Sequence, residues 1–284
     1  MGKTVKISRT LKDLRRQVTK WREGGKSVAL VPTMGALHAG HLSLVKLAKK
    51  KADRVVVSIF VNPAQFAATE DLARYPRDEA GDIKKLATVD ADLVWAPVLA
   101  KMYPAGFSTR IVPGTTSEDM EGTIRPHHFA GVATVCCKLF SQVTPDIAIF
   151  GEKDYQQLCV LKQMARDLNL PLKILGAATE REKDGLAMSS RNSYLSDEER
   201  KIAPALHATI SELAIAVSKG ADVQSSLVNA KRKLFSAGFA AIDYVDVRAV
   251  ETLEPYAASP GAKLRVLAAV RLGKTRLIDN VAVN

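Results

Sequence analysis

The chain has 284 residues, 47% of them hydrophobic, and carries a formal net charge of +11. This length allows a large buried core and two domains. No apolar run approaches the roughly 20 residues of a membrane-spanning helix, residues 1–6 lack the apolar core of a signal peptide, and three cysteines do not form a disulfide framework. We therefore expect a soluble protein of a reducing compartment, the cytoplasm, without membrane association.

The excess of positive charge raises nucleic acid as a partner. The basic runs are dispersed, and each falls in a helical pattern that predicts a solvated face: Arg15-Arg16, Lys49-Lys50-Lys51, Lys84-Lys85 and Lys231-Arg232-Lys233. Aromatic residues make up 6% of the chain and are not interleaved with these runs, so no base-stacking platform is expected. We expect no nucleic-acid partner, and steering of anionic substrates is the alternative use of this charge.

Strand and helix patterns alternate from residue 11 to residue 175. Helices are predicted from Leu11 to a stop at Gly24-Gly25, and at 42–51, 79–88, 129–143 and 155–169. Apolar runs predict buried strands at 28–31, 54–61, 92–97, 146–150 and 172–175. Residues 102–130 are rich in glycine, proline and charge and predict an irregular, lid-like region. This alternation predicts βαβ crossovers and a doubly wound parallel sheet.

Ligands of such sheets bind beyond the carboxyl ends of the strands, where the strand order reverses. Several polar side chains follow predicted strands directly: His38 and His41, then Asn62 and Gln65, and finally the segment 151–157. Their positions predict one site at this edge of the sheet.

The pattern changes near residue 178. Amphipathic helices at 196–219 and 223–237 precede strands at 242–247, 264–270 and 276–281, with turns at Ser259-Pro260-Gly261 and Gly273-Lys274. We therefore predict two domains, residues 1–178 with the parallel sheet and residues 179–284 as a smaller α+β domain.

The segment from Val28 to His41 predicts a strand, a tight turn and the start of a helix. Gly35 and Gly40 allow the backbone to turn and a ligand to approach closely. The first N–H groups of the following helix favour an anion such as phosphate, and two imidazoles three residues apart, His38 and His41, lie on one side of a first helical turn.

Two other interpretations of these histidines stay open. A histidine at a helix start is commonly a cap or a surface residue. A zinc site needs three or four ligands, and Cys136 and Cys137 are adjacent to each other, without ligand-like spacing.

Five stretches, in order along the chain, carry a family resemblance: residues 32–41, 58–66, 125–132, 150–157 and 184–192. The His-x-Gly-His turn resembles the HIGH-type signature of the nucleotidyltransferase superfamily. The fuller set, which spans nearly the whole chain, resembles the pantoate–β-alanine ligase family.

The resemblance implies a Rossmann-like fold and a two-step reaction. Pantoate and ATP, with Mg²⁺, would give a bound pantoyl adenylate and pyrophosphate, and the amine of β-alanine would then attack the acyl carbon to give pantothenate and AMP. The same resemblance implies a homodimer, with the small molecules ATP, pantoate and β-alanine as its other partners.

The resemblance also implies the residues of the ATP site. They are Met34, Gly35, Ala36, Leu37, His38, Ala39, Gly40, His41, Gly151, Glu152, Lys153, Asp154, Glu180, Met188, Ser189, Ser190 and Arg191. The catalytic groups among them would be His38, His41, Lys153 and Arg191. His41 would hydrogen-bond or donate a proton to the phosphates, so we expect its imidazolium form to matter.

The ATP-site segments have individual roles and alternatives. Asp154 would bind the ribose hydroxyls; alternatively it is the N-cap of a charged turn. Residues 188–191 resemble the family's version of a KMSKS-type loop, with Arg191 as a bidentate charge; alternatively they form an ordinary loop at a domain junction.

Amides are implied for the acid substrate, because an amide donates and accepts hydrogen bonds without adding charge. Gln65 and Gln157 would bind pantoate, and Gln65 would also bind β-alanine. Asn62 would be a further contact, and Arg125 would contact the carboxylate of the amine substrate or the phosphates. Asp82 would hold Mg²⁺ with ATP oxygens; alternatively it is an exposed structural carboxylate.

Two positions depart from the family pattern. His127 replaces the glycine usual after Arg-Pro, which puts the role of Arg125 in doubt. Glu180 occupies a place that is typically apolar beside adenine, so a main-chain contact would survive there and a packing contact would not.

Two rival functions remain. A related nucleotidyltransferase with a phosphorylated acceptor would not need Gln65 and Gln157 for a carboxylic acid. A nucleic-acid-binding module would show a steep salt dependence of binding.

Overall fold

The computed structural model describes residues 5–68, 70–258 and 261–284. The predicted turn residues Ser259 and Pro260 and most of the segment 1–6 lie outside these ranges. The chain divides into two compact units. The first consists of Met1–Glu152 with Val160–Ala178, and the second of Lys153–Cys159 with Thr179–Asn284.

The first unit contains a six-stranded, wholly parallel sheet. Its strands are β1 (Lys6–Ser8), β2 (Val28–Thr33), β3 (Arg54–Ile59), β4 (Leu93–Trp95), β5 (Ile147–Gly151) and β6 (Lys173–Ala177). They are arranged in the order β1-β4-β3-β2-β5-β6. The chain therefore moves outward from β2 to β3 and β4, and then returns to place β5 and β6 on the other side of β2. The strand order reverses between β2 and β5.

The central strands are buried on both faces, as is typical of a parallel sheet whose crossover helices cover both sides. Val55, Val56 and Val57 of β3 are each 0% exposed, as are Leu30 and Val31 of β2. Each such side chain contributes about 1.5–3 kcal/mol through burial. A strand that is apolar at consecutive positions gains this stabilisation only between two layers of helices.

Seven helices belong wholly or partly to the described residues of the first unit. They are α1 (Leu11–Glu23), α2 (Ala39–Lys51), α3 (Glu79–Ala87), α4 (Leu99–Met102), α5 (Glu121–Ile124), α6 (His128–Val143) and α7 (Tyr155–Asp167). The seventh, α7, starts within the stretch Lys153–Cys159 of the second unit and continues in the first. The side chain of Thr10 caps α1 by accepting the Asp13 N–H. Helix α6 ends where Thr144 adopts a left-handed conformation.

The second unit is built on a three-stranded antiparallel sheet in the order β7-β8-β9. Its elements are α8 (Asp197–Ile202), α9 (Ala205–Ser218), α10 (Val223–Ala237), β7 (Ala241–Ala249), β8 (Leu264–Leu272) and β9 (Thr275–Ala282). Buried residues of α9 and α10, such as Ile210 and Leu234, form one core with Val247, Val266 and Val270 of the sheet. The predicted fold class, a doubly wound parallel sheet with a smaller α+β domain, is confirmed.

The structure corrects several predicted elements. The helix expected over 196–219 is two helices, because Pro204 lacks the N–H that a continuous helix requires at that position. Strand β3 ends at Ile59, two residues before the predicted end, and β1 was not predicted. The region 102–130 contains the short helix α5. The stretch Lys153–Cys159 groups with the second unit, whereas the predicted boundary assigned it to the first.

Among the described residues, no helix combines the length and the apolar character needed to cross a bilayer.

Candidate active site

The turn between β2 and α2 is held by a buried carboxylate. Asp82, on α3, is 1% exposed, and its two carboxylate oxygens accept the N–H groups of Ala36 and Leu37 at 2.8 and 2.7 Å. Burial raises the pKa of Asp82, and these two hydrogen bonds oppose that rise. Gly35 and Ala36 adopt positive φ angles of 83° and 51°, and a Cβ at Gly35 would lie 3.0 Å from Asp82 Oδ2. The carboxylate therefore fixes an otherwise unfavourable backbone.

Two interpretations of Asp82 came from the sequence, a Mg²⁺ ligand and an exposed structural carboxylate. It is not an exposed helix carboxylate, because its side chain is almost fully buried. Both of its oxygens already accept backbone hydrogen bonds, and the described residues contain no group of three or more His, Cys, Asp or Glu side chains that could hold a metal ion. Its role as a Mg²⁺ ligand finds no support in this geometry.

His38 and His41 form a reciprocal cap at the start of α2. The Gly40 N–H donates to His38 Nδ1 at 3.2 Å, and the His38 N–H donates to His41 Nδ1 at 3.4 Å. The ring centroids are 4.1 Å apart. An Nδ1 that accepts a hydrogen bond carries no proton, so each neutral ring has its proton on Nε2. This geometry belongs to the neutral rings, whereas the sequence interpretation emphasised the imidazolium form of His41.

Gln65 is oriented by Asn62. Asn62 is 1% exposed, and its Nδ2 donates to Gln65 Oε1 at 3.0 Å and to the Gly131 carbonyl at 3.2 Å. Its Oδ1 accepts the Ala64 N–H and the Tyr103 hydroxyl, and burial raises the pKa of that tyrosine to about 12. Asn62 therefore orients the Gln65 amide, and its direct contact with a substrate stays a prediction.

Gln65 Oε1 accepts a hydrogen bond from Asn62, so the Nε2 group of Gln65 is directed away from Asn62. It lies 3.2 Å from Met34 Sδ, which is a weak acceptor. A substrate oxygen would be a much better partner for this N–H than a thioether.

Arg125 is committed to the protein rather than presented to a ligand. Its Nε and Nη2 donate to the carboxylate of Glu70 at 2.7 and 2.6 Å, and its Nη1 donates to Glu121 at 3.1 Å. Nη2 also donates to the Gln65 carbonyl at 3.2 Å. The predicted contact of Arg125 with a substrate carboxylate or phosphate is not supported, because its bidentate edge is occupied by Glu70.

His128 holds the same carbonyl from a second direction. Its Nδ1 lies 3.0 Å from the Gln65 carbonyl oxygen, which can only accept, so Nδ1 carries the proton. Burial, assisted by the charge of Arg125, lowers the pKa of His128 to about 4. The neighbouring His127, one of the two departures from the family pattern, is exposed.

A glycine allows α6 to approach the Gln65 turn. A Cβ at Gly131 would lie 2.2 Å from the Ala64 carbonyl oxygen and 2.7 Å from Gln65 Cα. A cavity of about 490 Å³ opens beside this turn, lined partly by Met34, Gly35 and Asp82. Its size suits a small ligand.

In the second unit, Lys153 lies in a 3₁₀ turn, Glu152–Asp154, directly before α7. Its main-chain carbonyl accepts a hydrogen bond from Asn280 Nδ2 at 2.9 Å, and its ammonium lies 3.7 Å from Asp154 Oδ1. Gln157 is half-buried on the first turn of α7.

The second predicted ATP-site segment of this unit follows a small hairpin. Arg181 pairs with Ala187 in an antiparallel bridge, and the Met188 N–H donates to the Glu180 carbonyl at 2.9 Å. The Glu180 side chain is exposed while its main chain is part of the hairpin. Ser189 Oγ accepts the Arg191 N–H at 3.2 Å and starts the turn that contains Ser190.

The sequence is matched over residues 6–282 by the family model described as pantoate-beta-alanine ligase. The chain belongs to the pantoate–β-alanine ligase family. A pantothenate synthetase from a Bradyrhizobium species is 54% identical over 284 residues, which is 100% of both chains. The crystal structure of pantothenate synthetase from Thermus thermophilus has a TM-score of 0.92 and 43% identity, and covers 98% of this chain and 99% of its own.

A third relative was crystallised with small molecules bound. It is the pantoate-beta-alanine ligase from Francisella tularensis complexed with beta-gamma ATP and beta-alanine. Its TM-score is 0.83 and its identity 35%, with 98% of each chain covered. Membership of the ligase family therefore makes this chain an enzyme that joins pantoate to β-alanine.

The residues that hold Asn62, Arg125 and the Gln65 turn in place were not identified from the sequence. Glu70, Glu121, Tyr103, His128 and Gly131 were not predicted to matter. His128 and Gly131 lie in the recognised stretch 125–132, which was the available signal. The two glutamates and the tyrosine had no sequence signal. Tyr103 and Glu70 have partners that are 40 or more residues away, and only the Glu121–Arg125 pair is close in sequence.

We predict that Gly131→Ala raises the KM for pantoate. The new Cβ would overlap the Ala64 carbonyl and displace the turn that carries Gln65, at a cost of roughly 1–3 kcal/mol in the free energy of unfolding. Steady-state kinetics and urea denaturation measure the two effects. Gly24→Ala is the matched control, because its Cβ would make only ordinary contact, 3.4 Å from the Trp21 carbonyl. An unchanged KM in Gly131→Ala would contradict the close approach.

We also predict a pH dependence of stability from His128. Its pKa is about 6.5 in the unfolded chain and about 4 in the folded protein, so below pH 6.5 the unfolded state binds the proton first. The stabilisation is complete above pH 6.5 and is lost as the pH falls towards 4, by on the order of 3 kcal/mol. Urea denaturation of His128→Asn at several pH values should lack this loss, whereas exposed His127→Asn should retain it. Equal slopes in the two variants would disprove the assignment.

His38 allows its capping role to be separated from phosphate contact. Asparagine at position 38 can still accept the Gly40 N–H, but it has no equivalent of Nε2–H. We expect His38→Asn to be as stable as the parent and roughly a hundredfold slower in adenylation. His38→Ala should be equally slow and also about 1 kcal/mol less stable. Full activity in His38→Asn would establish that the residue is only a cap.

Proposed function

We propose that this ligase condenses (R)-pantoate with β-alanine in two ATP-dependent steps through a bound pantoyl adenylate. The carboxylate of pantoate attacks the α-phosphorus of ATP, and pyrophosphate leaves. The amine of β-alanine then attacks the acyl carbon, and AMP leaves as pantothenate forms. The Francisella tularensis relative, a complex with an ATP species and β-alanine, supports these two substrate classes.

The first step needs positioning and positive charge more than a general base. Pantoate is already ionised at neutral pH, so the enzyme has to bring two anions together and stabilise the charge that moves to pyrophosphate. Amides, imidazoles, lysine and arginine are suited to this task.

The observation that carries the proposal is the start of α2. This helix of 13 residues begins at a turn that Asp82 fixes, and its first turn combines backbone N–H groups with two adjacent, mutually tilted imidazoles. A helix N-terminus favours phosphate through its N–H groups and its dipole. We assign the triphosphate of ATP to this turn, with the Nε2–H groups of His38 and His41 as donors to its oxygens.

Gln65 supports the assignment of pantoate. Its Oε1 is fixed by Asn62, and its Nε2 donates to the Met34 thioether, a weak acceptor that a substrate oxygen could replace. We assign this N–H to an oxygen of pantoate and, in the second step, to β-alanine. Gln157, half-buried at the start of α7, is assigned to pantoate on the basis of the family motif.

The remaining ATP contacts are assigned from the motif and supported by residue chemistry. Lys153 and Arg191 supply the positive charge that departing pyrophosphate needs, and Ser189 and Ser190 supply hydroxyl groups. Asp154 is assigned to the ribose. The exposed side chain of Glu180 leaves its main chain as the part that could contact adenine.

Mg²⁺ is assigned to the phosphates of ATP. Mg²⁺ typically keeps several waters and binds through substrate phosphates with one or two carboxylates, rather than through an all-protein cage. When bound, the ion neutralises phosphate charge.

Two further parts of the proposal are a homodimer, which only the family resemblance supports, and a cytoplasmic location, which the composition of the chain supports. Light scattering on the purified protein measures the first.

ATP–pyrophosphate exchange tests the function directly. We expect exchange with pantoate in the absence of β-alanine, and a reduction of roughly a hundredfold or more in His41→Ala and in Lys153→Ala, as is typical when a preorganised donor is removed. Circular dichroism confirms that both variants are folded. Exchange that requires tRNA or a phosphate ester in place of pantoate would contradict the proposal.

A further inference from the structure

Strand β9 contains two consecutive polar residues that are almost fully buried. Asp279 and Asn280 are each 4% exposed. Successive side chains of a strand point to opposite faces of the sheet. Asp279 lies on the face of Leu277, which packs with α9, and Asn280 lies on the opposite face, on which Arg265 of the neighbouring strand also lies. Burial of such groups is unfavourable unless each polar atom has a partner.

Asn280 connects the sheet to the segment Lys153–Cys159. Its Nδ2 donates to the main-chain carbonyl of Lys153 at 2.9 Å, and its Oδ1 accepts from Arg265. The Arg265 guanidinium lies 3.9 Å from the centroid of the Tyr155 ring, and the Tyr155 hydroxyl donates to the Val250 carbonyl at 2.9 Å. The backbone at Lys153 is therefore attached to β9 through an amide whose other end is itself fixed.

Asp279 connects the same strand to the hairpin that precedes Met188. Its carboxylate accepts two hydrogen bonds from Arg181, at 2.7 and 2.9 Å. Arg181 also donates to the Gly185 carbonyl at 3.0 Å, so it spans the hairpin. His207 Nδ1 lies 3.6 Å from Asp279, and burial together with the charge of Arg181 lowers the pKa of that imidazole. Arg181 is therefore the cationic partner of Asp279 at neutral pH.

We propose that Asp279 and Asn280 are the positioning residues of the two ATP-site segments of the second unit. Asn280 sets the main chain that presents Lys153, and Asp279, through Arg181, sets the base of the loop that presents Arg191. Two adjacent residues of one strand thus fix the main-chain positions from which the side chains of Lys153 and Arg191 extend. This inference rests on the proposed roles of Lys153 and Arg191 in adenylation.

Asn280→Asp tests the first connection with an isosteric change. An aspartate still accepts from Arg265, but its second oxygen would face the Lys153 carbonyl, and an ionised carboxylate oxygen has no hydrogen to donate. Asp279→Asn tests the second connection, because it removes the charge that pairs with Arg181. Arg181→Lys is the alternative for this connection, since it keeps the charge and loses the bidentate geometry.

Crossed double-mutant cycles on pantoate-dependent ATP–pyrophosphate exchange separate positioning from general damage. We expect Asn280→Asp to lower the exchange rate roughly tenfold in the parent and in Arg191→Ala, but less than about twofold in Lys153→Ala. Asp279→Asn should show the converse, with its effect lost in Arg191→Ala and retained in Lys153→Ala. A residue that merely stabilises the sheet would lower the rate by the same factor in every background.

Leu277→Val is the control on the same strand, because it removes one buried methylene without touching either polar connection. It should leave the exchange rate unchanged at temperatures where it is folded. If Asp279→Asn is unfolded by circular dichroism, Arg181→Lys takes its place in the cycle. Additive effects in all the crossed cycles would overturn the inference while leaving the proposed function intact. Absence of pantoate-dependent exchange in the parent protein would overturn both.

Discussion

The turn after the second strand depends on one buried carboxylate. Asp82 accepts the N–H groups of two successive residues of that turn, Ala36 and Leu37. Without these acceptors, the left-handed conformation of Ala36 would be unfavourable, and the two N–H groups would be buried without partners. The first turn of α2 and its two imidazoles begin only two to five residues later. The proposed phosphate site therefore depends on a side chain that need not touch the nucleotide.

Gln65 is likewise positioned by neighbouring residues, which hold both its side chain and its main-chain carbonyl. Asn62 determines which end of the amide accepts, and Arg125 and His128 hold the carbonyl. The positive charge of Arg125 is fully compensated within this network, because Arg125 pairs with both Glu70 and Glu121. Preorganisation of this kind reduces the entropy lost when a ligand is bound.

Features that depend on residues close together in the chain were predictable from the sequence, and contacts between distant residues were not. The parallel strands were predictable, because runs such as 54–59 are apolar at almost every position and need helices on both faces. The start of α2 was predictable because its glycines and histidines are neighbours in sequence. The pairing of Arg125 with Glu70 and of Asp82 with the 36–37 turn could not be predicted, for the opposite reason. Their partners, Glu70 and the 36–37 turn, lie 55 and 45–46 residues away.

The sequence by itself determined the fold class, the family, and the turn in which the proposed phosphate donors lie, since each of these depends on periodicity or on residues close together in the chain. Only the tertiary structure decided which polar groups are committed to the protein. A guanidinium or carboxylate has the same sequence signature whether it faces solvent, a substrate or a buried partner. Its role depends on which distant atoms the folded chain brings within about 3 Å.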